Sequence, residues 1–247
     1  MLNLRTFTGT PSTADFNRGV WAAGSVGRRP YLSSKTGGAI TMMSGVILAG
    51  GDHLSMNGVN RAFLVMEGET LIERQIREMG RCCSEITIVT NDPRPFLRTV
   101  DRDIRIITDY FVGKGLLSGM HAGLALSKYD RVWLLGCHMP FPSAEAARYL
   151  NTHMREGIDA VIPCMKSGAY PLHAIFNRVG AAARIEKLLK SGYFSKTALL
   201  NALNWRKVEE STLTGAGIDG RFVHSLRTKE DYDRLAGHSI GTKLPQS

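Results

Sequence analysis

The chain has 247 residues, 43% of them hydrophobic and 21% charged, with a formal net charge of +9 at pH 7. This length suits one sizeable α/β domain or two small ones, and the apolar share supports a packed core rather than a disordered chain. No apolar run approaches the roughly 18 residues that a membrane-spanning helix needs, and the charge lacks the basic–aromatic interleaving of a nucleic-acid binder.

Residues 1–42 differ from the rest. They are rich in Gly, Ser, Thr and Arg, with five basic residues and one acid (Asp15), a net of +4; the other +5 is spread over the remaining 205 residues. Three readings of this segment stand open: an organellar targeting segment, a twin-arginine signal at Arg28-Arg29, and a disordered extension or one that precedes the true start at Met42 or Met43. The residues after Arg29, Pro-Tyr-Leu-Ser-Ser-Lys, are not the apolar region an export signal requires. The expectation is a disordered or spurious extension over 1–42 and a single cytoplasmic domain over 43–247. Cys82, Cys83, Cys137 and Cys164 form no CxxC pair and no metal-ligand spacing, and are expected as reduced, mostly buried thiols.

From Met43 onward strands and helices alternate. The apolar run Val46-Ile47-Leu48 predicts a buried strand that stops at Gly50-Gly51. Such a bare-backbone loop brings N–H groups close to a bound anion, although the glycine pair alone is equally a tight strand-to-helix turn. A helix is predicted over 70–81, with Leu71, Ile72, Ile76 and Met79 on one stripe. Strands are predicted over 85–90 and 104–108, a helix over 116–128, and a strand over 131–135 that ends at Gly136-Cys137-His138-Met139-Pro140. Ser143 reads as the N-cap of a helix over 143–156. Strands over 159–163 and 174–177 and helices over 181–190 and 196–203 follow. The chain closes with a strand over 222–225 and a helix from Lys229, where Glu230 and Asp231 favour the first turn. Alternation of this kind predicts an α/β fold, a mainly parallel sheet covered by helices on both faces. Ligands in such folds sit beyond the carboxyl ends of the strands, so the loops after Leu48, Thr90, Thr108 and Leu135 should meet on one edge. Trp133 is expected in the core, and His121 and His173 as packed histidines. Asn91, in Asn91-Asp92-Pro93, reads equally as a turn residue, and Asp109 as a site residue or a cap.

Five motifs carry a more specific signal: Leu48-Ala49-Gly50-Gly51, Gly68-Glu69-Thr70-Leu71-Ile72-Glu73, the glycine-bounded segment 113–119, Cys137-His138-Met139-Pro140, and Pro171-Leu172-His173-Ala174. In this order and spacing, the region from about residue 44 to 235 resembles the molybdenum cofactor guanylyltransferases, the MobA family of nucleotidyltransferases. The resemblance implies a three-layer, Rossmann-like nucleotidyltransferase fold. It also implies transfer of GMP from GTP to molybdopterin cofactor, with release of pyrophosphate and help from Mg2+. It would put Leu48, Ala49, Gly50 and Gly51 along the nucleotide, with Asn91 and Asp109 at its base and ribose end. Arg61 would be the catalytic cation on the triphosphate, and position 138 the metal ligand. Partners implied are GTP, a molybdopterin-type cofactor and molybdenum cofactor biosynthesis or insertion proteins, with no nucleic acid and no membrane.

Several positions depart from the family pattern. Ser55 stands where an arginine is expected, Asn60 where an aspartate is, Arg61 where a lysine is, and Leu116 where a proline is. Arginine keeps the charge but not the compact shape of an ammonium. His138 replaces the metal-loop aspartate, whereas magnesium prefers carboxylate oxygen and water; Asp52 in the adjacent loop is the candidate replacement carboxylate. In the closing segment 225–231, Arg227 and Lys229 replace an asparagine and a proline. These departures imply a second reading, a catalytically impaired member that binds molybdenum cofactor or regulates a true guanylyltransferase. A third, transfer to another acceptor such as a sugar phosphate, is opposed by the Pro171-Leu172-His173-Ala174 segment.

Overall fold

Short apolar runs without polar alternation form the inner strands, because both of their faces are covered by helices. The computed structural model describes residues 42–51, 60–111 and 113–239; the expectations for residues 1–41, Asp52 and Ser55 lie outside the described residues. β1 (Met43–Leu48) is buried along its whole length. A short 3-10 turn (Arg61–Phe63) leads to the two-residue strands β2 (Val65–Met66) and β3 (Glu69–Thr70), which pair as a small antiparallel ribbon. α1 (Leu71–Met79) opens on a capping box, in which the Thr70 hydroxyl accepts from the Glu73 N–H and the Glu73 carboxylate accepts from the Thr70 N–H. Then follow β4 (Glu85–Val89), α2 (Arg94–Leu97), β5 (Arg105–Ile107), α3 (Leu116–Ala125), β6 (Arg131–Gly136) and α4 (Ala144–Thr152). Ser143 caps α4 as its sequence predicts, its hydroxyl accepting from the Ala146 N–H at 3.1 Å.

The second half contributes β7 (Ala160–Met165), β8 (Gly168–Ala169), β9 (His173–Asn177), α5 (Arg178–Ser191), α6 (Lys196–Ala202), β10 (Trp205–Glu209), α7 (Glu210–Gly215) and α8 (Lys229–Ser239). The main sheet runs β10-β7-β9-β6-β1-β4-β5, with β8 attached to β7. β1 is parallel to both β4 and β6, β4 to β5 and β10 to β7, while β9 runs antiparallel to β6 and β7. Two apolar cores lie on opposite faces. On one, Ile47, Trp133 and Ile175 meet residues of α1, α2, α4 and α7; on the other, Val46, Leu134 and Phe176 meet α3, α5 and α6. The three-layer architecture implied by the motifs is the one observed.

Several elements differ from the sequence reading. The expected strand over 222–225 is a 3-10 turn (Gly220–Val223) followed by extended chain, because Asp219 caps it by accepting from the Arg221 N–H at 2.9 Å. β10 was not predicted, since as an edge strand it buries only Val208 fully and reads as polar. α2 and α7 are too short to show helical periodicity. Trp133 is in the core as expected, and the four cysteines are free thiols, with Cys82 and Cys83 sulfurs 4.0 Å apart.

Candidate functional site

The strand order changes direction beside β1: the chain builds β4 and β5 on one side of it, then returns to place β6 on the other. That is where α/β sheets open a crevice at the carboxyl ends of their strands. A cavity of about 380 Å³ occupies it, lined by Leu48, Gly50 and Gly51 after β1, by Val89, Thr90 and Asn91 after β4, and by Asp109 after β5. The turn before α3 and its first half close the other wall through Gly113, Gly115, Leu116 and Gly119. The volume lies within the range of small-ligand clefts, about 300–1,000 Å³.

Local chemistry holds these loops together. The Ala49 N–H donates to the Val89 carbonyl at 2.8 Å, the Thr90 N–H to Ile107 at 3.0 Å, and the Cys137 N–H to Leu48 at 2.9 Å. The Thr90 hydroxyl donates to the Ala49 carbonyl and accepts from the Asp92 N–H, tying the first loop to the second. Gly51 (φ 123°) and Gly115 (φ 62°) adopt backbone conformations that strain any L side chain. Residues from Leu48 to Gly119 are thus brought to one edge.

Of the residues expected at the site, Leu48, Gly50, Gly51, Asn91 and Asp109 line the cavity. Ala49 lies beneath it, 1% exposed, and presents only backbone to the loops around it. Arg61 is not a lining residue; it opens the 3-10 turn whose Asn60 cap accepts from the Ala62 N–H at 3.0 Å. Its charge is felt at Cys137 and His138, which places it beside the loop after β6 rather than within the cavity.

His138 is partly buried. A Cβ on Gly136 would lie 2.6 Å from the His138 Cε1, so the imidazole folds back over a strand end that only glycine leaves open. Gly136 is the register partner of Leu48. By the alternation of β6, Gly136 shares the sheet face of Val132 and Leu134, so the ring rests one strand away from the cavity and on the same face. Burial, together with the charges of Arg61 and Arg227, pushes the His138 pKa down to about 4, leaving the ring neutral at pH 7.

Among the described residues, the donor set at position 138 does not fit a magnesium ion. The ion requires carboxylate or other oxygen ligands in near-octahedral array, but position 138 offers one imidazole and its charged neighbours are two arginines. Among the described residues no three His, Cys, Asp or Glu side chains gather where they would hold a metal.

One residue that shapes the site escaped the sequence reading, and another was singled out there only as a departure from the closing motif. Gln75, fully buried on α1, donates from Nε2 to the carbonyls of Gly136 (3.1 Å) and Met139 (2.9 Å) and so clamps the loop that carries His138. The signal was available, since Gln75 is a polar residue on the apolar stripe of Leu71, Ile72, Ile76 and Met79. Arg227 approaches His138 from the far end of the chain, and no local pattern reveals that. His173 is packed as expected: its Nε2 accepts from the Ser143 N–H at 3.2 Å and its ring lies against Trp133 and Phe222. His121 lies edge-on to Phe111, 5.4 Å between centroids.

The model of the MobA-like NTP transferase domain matches residues 45–205. A molybdenum cofactor guanylyltransferase of Desulfosudis oleivorans is 30% identical over 192 residues, covering 78% of this chain and 93% of the relative. A molybdenum cofactor guanylyltransferase of Syntrophotalea carbinolica is 29% identical over 205 residues, covering 82% and 95%. Among solved structures, molybdopterin-guanine dinucleotide biosynthesis protein A from Archaeoglobus fulgidus superposes with a TM-score of 0.66 at 22% identity, over 79% of this chain and 97% of that one. At that identity the likeness speaks for the fold.

Proposed function

The chain belongs to the MobA-like NTP transferase family, and on that premise we propose that it transfers GMP from GTP to a molybdopterin-type acceptor. In this reaction an oxygen of the acceptor's phosphate attacks the α-phosphorus of GTP. The bond from that phosphorus to the bridging oxygen of the β-phosphate breaks, and pyrophosphate leaves. The observation that carries the reading is the convergence of Leu48, Gly50, Gly51, Asn91 and Asp109 on one cavity at the carboxyl ends of β1, β4 and β5. Asn91 and Asp109 offer hydrogen-bonding groups to the base and ribose, and the loop at Gly50-Gly51 lets the backbone approach the phosphates. Arg61 supplies positive charge toward the triphosphate. Phosphoryl-type transfer requires little covalent chemistry from the protein, and positioning with charge neutralisation does most of the catalysis.

Calorimetric titration with GTP, ATP and CTP, followed by a pyrophosphate-release assay with molybdopterin, tests this reading. We expect GTP to bind at least about tenfold tighter than the other two, and one pyrophosphate to appear per GTP consumed. Equal binding of all three nucleotides, or of none, overturns it. GTP binding with no pyrophosphate release would instead assign the chain to the non-catalytic, cofactor-binding or regulatory reading. Position 138 offers an imidazole where the resemblance expects a carboxylate, and among the described residues no group of three metal-ligating side chains gathers, which favours that second reading.

A further inference from the structure

We propose that Arg227, brought back to the loop after β6 by the C-terminal segment, binds the polyphosphate of the nucleotide together with Arg61, so that binding at the His138 position does not depend on a divalent ion. The inference rests on the nucleotide reading above but concerns residues it did not use. Arg227 also lies outside the residues 45–205 that match the family model.

Its placement is built rather than incidental. The Leu226 N–H donates to the His138 carbonyl at 2.8 Å, so the residue next to Arg227 is hydrogen-bonded to the metal-loop position itself. The Leu226 side chain is fully buried in a small apolar cluster with Met66 and Leu71, against which Leu64 and Phe141 pack. Leu64 directly follows the turn that carries Arg61, so one cluster seats both arginines at the same edge. From the other side, the Asp231 carboxylate accepts from the N–H groups of Arg227 (3.0 Å) and Thr228 (3.1 Å), and the Tyr232 hydroxyl donates to the Val65 carbonyl at 2.7 Å. The backbone around Arg227 is therefore fixed, while its side chain remains exposed.

The charges agree with this geometry. A metal loop of the expected kind brings a carboxylate, which needs a cation to bridge it to phosphate. Here position 138 holds an imidazole instead, and the Leu226–His138 hydrogen bond and the shared apolar cluster bring two guanidinium-bearing residues to the same edge. Guanidinium groups bind phosphate oxygens through planar, charge-assisted hydrogen bonds. Arg227 replaces a neutral asparagine of the closing motif, and the His138 and Arg227 departures become one compensating pair.

The test is calorimetric titration of the full chain with GTP and, separately, with inorganic pyrophosphate. Each is run in EDTA and in excess magnesium, for the wild type and for Arg227→Gln and Arg227→Lys. The expected result is binding in EDTA that magnesium changes less than about threefold, weakened at least about tenfold by Arg227→Gln and partly restored by Arg227→Lys. Because the side chain is exposed, the variants should melt with the wild type, and circular dichroism checks this. GTP binding that requires magnesium and ignores Arg227→Gln overturns the inference and leaves the nucleotide reading intact. Arg227-dependent pyrophosphate binding without GTP binding supports the inference and removes the guanosine reading. No binding of either probe overturns both.

Discussion

His173 shows how a single residue in a family motif is set by burial. It is fully buried, with Nε2 accepting from the Ser143 N–H at the start of α4, and burial pushes its pKa down to about 3. The unfolded chain regains a value near 6.5, so between these pH values the unfolded state binds the extra proton. Stability from this residue is therefore fully present above about pH 6.5 and is lost as pH falls toward 3. Between pH 7.5 and pH 5 the loss should be about 2 kcal/mol, read as a falling urea midpoint; in His173→Asn that pH dependence should flatten. His138 acts in the same direction. Arg61 carries the catalytic proposal, and Arg61→Ala should lower kcat/KM for GTP by about a hundredfold, with Arg61→Lys retaining part of the activity. The cavity residues Leu48, Gly50, Gly51, Asn91 and Asp109 were legible from their positions after predicted strands. Gln75 shows in the sequence only as a polar residue on an apolar stripe and Arg227 only as a departure from the closing motif; the contacts each makes around His138 are tertiary and have no local signature.

At the scale of elements, α3 is the helix whose small residues matter. It packs on β1 so closely that a Cβ on Gly123 would come 2.5 Å from the Val46 Cγ1, whereas one on Gly119 would sit 3.6 Å from Leu48 in ordinary contact. Gly123→Val should therefore destabilise the fold by about 2 kcal/mol through overpacking, measured by denaturant midpoint. Gly119→Ala should leave stability unchanged or raise it by up to about 1 kcal/mol through helix propensity. Since Gly119 lines the cavity, the same change should weaken GTP binding, which separates its role from that of Gly123. Most strands and long helices were legible, because buried runs and a 3.6-residue period are local properties. β10 and the turn at Gly220–Val223 were not: the edge strand hides its one fully buried residue among charges, and the apolar pair Phe222-Val223 enters the core from a capped turn.

At the scale of the whole molecule, two cores back onto one sheet, so the cavity walls, β1, β4 and α3, belong to the same packed unit as the strands behind them. A ligand that binds only this folded arrangement stabilises all of it. GTP at a hundred times its dissociation constant should add about 2.7 kcal/mol, a rise in melting temperature of roughly 5–10 °C for a domain of this size. A smaller shift with ATP would report selectivity. The sequence by itself determined the alternation of strands and helices, the order of the loops on the binding edge and the family to which the chain belongs, since these follow from short-range periodicity, glycine punctuation and motif spacing. Only the tertiary structure decided that the His138 ring lies over Gly136, that Gln75 clamps its loop, and that Leu226 and Arg227 return to it. Those contacts join residues 60 to 90 positions apart or depend on which face a side chain packs against, and they exist only once both cores have closed.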